Sequence, residues 1–337
     1  MVGILLRVLA IVVVLFALAV IAGPFLISSE PREGLASNTE AAMAESRFVR
    51  IPFAGTAGLA VHYLEPPTDA PSWATPFLLL HGFTFNAWTW QPALDAFAAR
   101  GRVVAYDQVP YGLSAKPARA DWDGPNPFSK EAAITQLFAV MDALDLERAV
   151  LVGNSSGGTL ALEAALARPG RVEALILVAP WVYVTRPTLP ATVASLPQMR
   201  RLSLLIARKL GENGPLLDLS YADASAITDG RRERFGIHAR VAGWDLAWGE
   251  LLSLSLSTPV TVSEHLVQVQ VPVLVVTGEM DRVVPVDDSR RVAGQLPDAS
   301  FVVIPGCGHV PQEECPDQFA RVVGDWLDAR RIGASGR

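Results

Sequence analysis

The 337-residue chain is expected to form an α/β domain on a largely parallel sheet, with a helical insertion near its middle. Three observations predict this. Short runs that are apolar throughout alternate with segments of helical spacing, the pattern of strands covered on both faces. One such run, 149–152, leads through Gly153-Asn154-Ser155-Ser156-Gly157 into a helix of small residues, so a tight strand–turn–helix unit is expected there. Finally, the alternation stops between Trp181 and Val269, where helical stretches are separated by prolines and glycines without a clear strand.

The elements follow in order. Residues 1–27 form an apolar module: Val8 to Ala22 holds no charged residue, Arg7 precedes it, and Phe25-Leu26-Ile27 resumes it. At about 20 residues it can cross a bilayer. A retained transmembrane anchor is expected, with a cleaved signal as competitor because Val20-x-Ala22 offers small residues for cleavage. Either way the remainder is expected outside the cytoplasm, membrane-anchored, or secreted or periplasmic after cleavage. Residues 28–46 are polar and read as a linker. The core is expected over 47–183 and 263–332, and the insertion over 184–262.

Within the core, 48–53 and 59–64, split by a Gly-rich turn, predict an opening hairpin. Strands are expected at 77–80, 102–106, 149–152, 174–179, 271–277 and 301–304, and helices at 86–100 and 132–146. The insertion carries helical spacing at 191–210 and 245–252.

A net charge of -6 argues against a nucleic-acid partner, which needs a basic face. The two cysteines, Cys307 and Cys315, are too few for a disulfide scaffold or zinc cluster; eight positions apart in one segment, they could pair in an oxidising compartment, but small, partly buried thiols are expected. No metal or organic cofactor is implied.

A serine hydroxyl is a poor nucleophile until a base takes its proton, and the base works best when a carboxylate orients it. Ser155 sits in a turn that needs glycine on both sides. His309, in a glycine-rich loop just past a strand, is the expected base. The other histidines fit less well: His81 precedes the serine, His62 lies in the hairpin, and His238 and His265 in or beside the insertion. Asp281, at the exit of strand 271–277, is the expected orienting acid, with Glu279 as its rival. Attack on a carbonyl leaves an oxyanion that needs preorganised donors. The backbone N–H of Ser156 and that of Phe83, in the loop His81-Gly82-Phe83-Thr84, are the candidates.

Taken in order, these stretches resemble the α/β-hydrolase fold superfamily over roughly residues 47–327. They are His81-Gly82-Phe83, Asp107 through Ser114, the Ser155 turn, Gly278 through Pro285, and Gly308-His309 followed by Glu314-Cys315-Pro316. The resemblance implies an eight-stranded, mostly parallel sheet with a helical lid, and a structural role for Asp107 and Ser114. Related haloalkane dehalogenases and epoxide hydrolases carry aspartate where Ser155 stands, which argues against both activities. The surroundings of Ser155 resemble carbon–carbon hydrolases that open ring-cleavage products, yet Phe83-Thr84-Phe85 departs from the glycine and proline usual there.

The aliphatic residues of the insertion (Leu202, Leu204, Leu205, Ile206 and Leu210, then Leu216, Leu217 and Leu219) suggest a mostly apolar substrate pocket, and Trp244 and Trp248 share a helix face. The Arg200-Arg201 and Arg231–Arg234 clusters are expected on solvated faces. The expected function is a serine hydrolase that cleaves a carboxylic ester or similar acyl substrate, small and mostly apolar, through an acyl-enzyme. The alternatives are a carbon–carbon bond hydrolase and a low-turnover ligand-binding protein of the same fold.

Overall fold

A computed structural model describes residues 2–183 and 188–333. The first residues of the expected insertion, 184–187, lie outside the described residues. Eight strands form one sheet: β1 Arg47–Ile51, β2 Leu59–Leu64, β3 Phe77–Leu80, β4 Val103–Tyr106, β5 Ala149–Asn154, β6 Val172–Val178, β7 Val273–Gly278 and β8 Ala299–Ile304. Their spatial order is β1-β2-β4-β3-β5-β6-β7-β8. The β1–β2 hairpin is antiparallel, with Ile51 opposite Leu59, and β2 also pairs antiparallel with β4; every other pairing is parallel.

The apolar runs have a simple physical origin. Alternate residues of a strand point to opposite faces, and here both faces are covered. Leu78, Leu80 and Leu151 pack with α3 (Lys130–Ala143), α4 (Ser156–Ala167) and α10 (Val286–Gln295). Phe77, Leu79, Val150 and Val152 pack with α2 (Leu94–Ala98) and α12 (Pro316–Arg330) on the other side. The segment 86–100, expected as one helix, is a 3₁₀ turn over Ala87–Ala93 followed by α2, because Pro92 removes a backbone donor there.

Between β6 and β7 lie α5 (Ala191–Ala194), α6 (Pro197–Asn213), α7 (Pro215–Ser220), α8 (Asp229–Phe235) and α9 (Trp244–Ser255). The single helix expected at 191–210 is broken: Pro197 opens α6 and holds Leu196 extended, with ψ 141°. Helices α6 and α9 cross closely, since a Cβ at Gly211 would overlap the Trp244 ring and one at Gly249 would come within 3.1 Å of Leu204 Cα. Trp244 and Trp248 do share a face, edge to face at 5.6 Å.

The aliphatics of α6 divide. Leu204 is buried, whereas Leu202, Leu205 and Ile206 point outward, as does Leu219 of α7; these four do not line an internal pocket as expected. Helix α1 (Val2–Ala22) projects from the body, and the stretch Ile4–Leu26 is long and apolar enough to cross a membrane. The polar segment after it is no free tether. Ala36 bridges Val241 with hydrogen bonds at both its N–H and C=O, and the Asn38 amide donates to the Leu113 carbonyl at 3.0 Å.

Candidate active site

The turn after β5 is held by sterics. Ser155 has φ 54° and ψ −119°, a conformation that costs a non-glycine residue on the order of 1–3 kcal/mol unless its surroundings enforce it. The surroundings do. A Cβ at Gly153 would overlap the Gly157 carbonyl, and one at Gly157 would overlap the Leu80 carbonyl. Ser155 N–H donates to Val178 O on the neighbouring strand at 2.9 Å, and its carbonyl accepts from Gly158 and Trp181. Packing of β5 and α4 against β3 and β6 thus holds the serine at the carboxyl edge of the sheet, where crevices in open α/β sheets form.

Two neighbouring strand exits supply the partners. Asp281 follows β7 and His309 follows β8, and His309 Nδ1 lies 2.8 Å from Asp281 Oδ2. The other oxygen of Asp281 accepts the N–H groups of Val283 and Val284 at 2.8 and 2.9 Å, so the carboxylate is fixed at both oxygens. With Asp281 accepting at Nδ1, the neutral imidazole carries its proton on that nitrogen and leaves Nε2 as a lone-pair base. Both side chains are buried, with His309 3% exposed and Asp281 fully covered.

The histidine loop is wedged from two sides. Its carbonyl accepts from the amide of Asn154, the residue before the serine, at 3.1 Å, while that amide also donates to Val178 O. His309 N–H donates to Ser220 O at 2.7 Å, at the end of α7 in the insertion. Cys307 and Cys315 flank this loop and form a disulfide with Cα atoms 6.3 Å apart, correcting the expectation of free thiols. They lie eight positions apart in sequence, but α11 (Pro311–Glu314) folds the loop back so that the side chains meet.

The expected oxyanion donors lie at the same edge. Ser156 is the first residue of α4, whose N-terminal N–H groups have no intrahelical partner and carry the positive end of the helix dipole. The loop after β3 passes close overhead: a Cβ at Gly82 would stand 3.1 Å from Ser155 Cβ. Among the described residues the Phe83 N–H donates to no protein acceptor. Gln108 fixes this loop, its amide donating to His81 O at 2.7 Å and its N–H to His81 Nε2 at 3.0 Å. His81 Nδ1–H then donates to Gly82 O. Burial holds the His81 pKa below the ordinary imidazole value, against the pull of Asp107. It is a neutral scaffold residue.

Asp107 takes the structural place expected of it. Its carboxylate accepts from Ala87 N at 2.7 Å, Leu113 N at 2.6 Å and His62 Nδ1 at 2.8 Å. Burial would raise its pKa, but the charge and hydrogen bond of His62, with His81 and the Ala87 N–H, bring it below the usual carboxylate value. Two arginines expected at solvated faces are instead engaged. Arg231 pairs with the buried Glu313 at 2.8 Å, and Arg201 donates to the Ile27 carbonyl. The five expected site residues lie at this edge, and Asn154, Gln108, Ser220 and Glu314 support them. Asn154, Gln108 and Glu314 belong to stretches that carry the family resemblance, without a supporting role read from them; Ser220 had no signal in the sequence.

Residues 77–322 match the Alpha/beta hydrolase family. The chain is 31% identical over 263 residues to the 2-hydroxymuconate semialdehyde hydrolase of Pseudomonas sp. (strain CF600), covering 75% of this chain and 86% of that one. It is 25% identical over 277 residues to the (lyso)-N-acylphosphatidylethanolamine lipase of Homo sapiens, covering 76% and 80% respectively. Among solved structures, a membrane phospholipase A described as a bacterial virulence factor has the same fold, with TM-score 0.64 and 23% identity, over 98% of this chain and 99% of that one. On this match and the geometry above, the chain belongs to the α/β-hydrolase family and is a hydrolytic enzyme.

Proposed function

We propose that the chain is a serine hydrolase that cleaves a carboxylic ester or similar acyl compound with a largely apolar acyl group. The observation that carries this reading is the His309–Asp281 pair at 2.8 Å, set at the sheet edge that holds the strained Ser155. His309 Nε2 takes the Ser155 proton as Oγ attacks the carbonyl carbon. Ser156 and Phe83 N–H groups bind the oxyanion as it forms. His309 then gives the proton to the leaving group, and water, deprotonated by His309, releases the acyl group from Ser155. Asp281 holds the imidazole orientation and offsets its charge throughout. The insertion, 184–262, acts as the lid, since its Ser220 already holds the base loop.

Helix α1 keeps the enzyme on the membrane with the catalytic domain outside the cytoplasm. The Cys307–Cys315 bond supports that placement, because disulfides persist in oxidising compartments. A fluorophosphonate probe tests the chemistry. Labelling of the folded protein and its loss in Ser155→Ala is expected; equal labelling of both would reject the nucleophile.

A second reading, carbon–carbon hydrolysis of a ring-cleavage dienoate, is favoured by the 31% identity to a 2-hydroxymuconate semialdehyde hydrolase. The two separate on substrate. Turnover of p-nitrophenyl esters of increasing chain length, without turnover of 2-hydroxymuconate semialdehyde, supports the first; the reverse supports the second.

A further inference from the structure

Helix α6 is amphipathic in an unusual sense. One face, with Leu204 and Ala207, is buried against α9, as any packed helix requires. The outward face should then be polar. Instead Leu202, Leu205 and Ile206 stand there at 39%, 37% and 45% exposure, spaced i, i+3, i+4 on one stripe. Leu196, just before the helix, is 46% exposed. Lys209, four residues after Leu205, lies within the stripe, and Arg201 stands at its edge, in a chain whose net charge is -6. An apolar stripe bordered by cations is the composition of a helix lying in a membrane interface, the apolar side chains among acyl groups and the cations at anionic headgroups.

The position of the chain's apolar segment supplies the second observation. Helix α6 packs on the turn Gly23–Leu26 that closes the apolar stretch, and Arg201 lies over the Phe25 ring, 5.9 Å from its centroid, while donating to Ile27 O. Two turns further along, the buried Arg208 donates to Ser28 O at 2.8 Å and to Glu30 O at 2.6 Å, while Asp245 of α9 binds the same guanidinium at 2.7 Å. Two arginines of one helix thus hold three backbone carbonyls, of Ile27, Ser28 and Glu30, just past the apolar stretch. If α1 crosses a bilayer, Leu26 lies at its surface and α6 beside it.

We infer that the outward face of α6 is a membrane-contact surface, and that its partner is the headgroup and upper acyl region of an anionic bilayer. The inference rests on the anchored reading of α1 and adds that the lid itself touches lipid, so that an amphiphilic substrate reaches Ser155 from the membrane side. A second copy of the chain suits this face less well. A two-fold contact would set Arg201 and Lys209 against their own copies, whereas anionic headgroups attract them.

The test uses the full chain in vesicles of phosphatidylcholine and phosphatidylglycerol that contain a phosphatidylcholine with a diazirine in its acyl chain. After photolysis, labelled peptides are mapped by mass spectrometry. Labelling at 202–206 as well as within 4–26 is expected. The variant Leu202→Ser/Leu205→Ser/Ile206→Ser should keep the α1 label, lose roughly fivefold or more of the α6 label, and hydrolyse soluble p-nitrophenyl butyrate within about twofold of wild type. Label in α1 alone overturns the proposal and leaves the anchor standing; label in neither rejects both. Label on α6 without α1 rejects the anchor and, with it, the placement of α6 argued from the anchor. Cross-links joining α6 to α6 of another copy, with no lipid label there, would assign the face to a dimer and overturn the proposal.

Discussion

Glu314 Oε2 accepts the Gly308 N–H at 2.6 Å, one residue before His309, and the same carboxylate takes the N–H groups of Ala222 and Asp223 at 3.1 Å each. One buried-edge anion therefore joins the loop of the proposed base to the turn that follows α7 in the insertion. Hydrogen bonds to a charged acceptor contribute about 1.5–3 kcal/mol each. Three on one carboxylate define the position of both segments.

Glu314→Gln replaces one acceptor oxygen with a donor that must face an N–H group. Glu314 acts through His309, so the effect should fall on kcat, by roughly 10-fold or more, while KM stays within about twofold. A drop in thermal stability with unchanged kcat would reduce Glu314 to a purely structural residue.

Asp281→Asn keeps the size of the side chain but presents an amide to His309 Nδ1. The imidazole then has no anion to hold its proton on that nitrogen, and kcat should fall roughly 10³–10⁴-fold with the fold retained. Steady-state rates on p-nitrophenyl butyrate, beside a circular dichroism spectrum, decide it. A loss below about tenfold would mean that another carboxylate orients His309.

The disulfide closes a short loop around His309. Replacing both cysteines, Cys307→Ser with Cys315→Ser, should cost about 2–3 kcal/mol by the chain-entropy account. The matching observation is a lowered melting temperature in the double variant and in reduced wild type, with reductant having no effect on the variant. Identical melting of oxidised and reduced wild type would show that the bond does not form.

His238 is buried between Trp248, stacked at 4.2 Å, and Trp244, and burial brings its pKa down to about 3, assisted by nearby Lys116. A depressed histidine is neutral in the folded state where the unfolded chain already binds a proton. Stability should therefore be unaffected above pH 6.5 and decline as pH falls from 6.5 toward 3, on the order of 1 kcal/mol per pH unit. Denaturant melts of wild type and His238→Phe across that range isolate this group. The wild type should lose stability relative to the variant as acid is added; parallel curves would contradict the assignment.

Much was legible in the chain itself, for identifiable reasons. A serine held between glycines after a buried strand can be read directly, because the steric demand of the turn is written at 153 and 157. The order serine, acid, histidine and the apolar strands that end at each are equally local. Broken helices at Pro92 and Pro197 could have been read from proline alone. The disulfide could not: its two cysteines come together only because α11 turns the chain back between them.

The sequence by itself determined the sheet and the elbow and pointed to Ser155, Asp281 and His309 as the proposed site, since each depends on periodicity or on a residue type that a turn requires. Tertiary structure alone decided which groups hold them. Asn154 bonding to His309 O, Gln108 gripping His81 and Ser220 holding the base loop join residues 27 to 155 positions apart. It also decided that Leu202, Leu205 and Ile206 face outward while Leu204 faces in. Hydrophobicity specifies that a side chain leaves water; only the packing of α6 against α9 specifies which side of the helix is already covered.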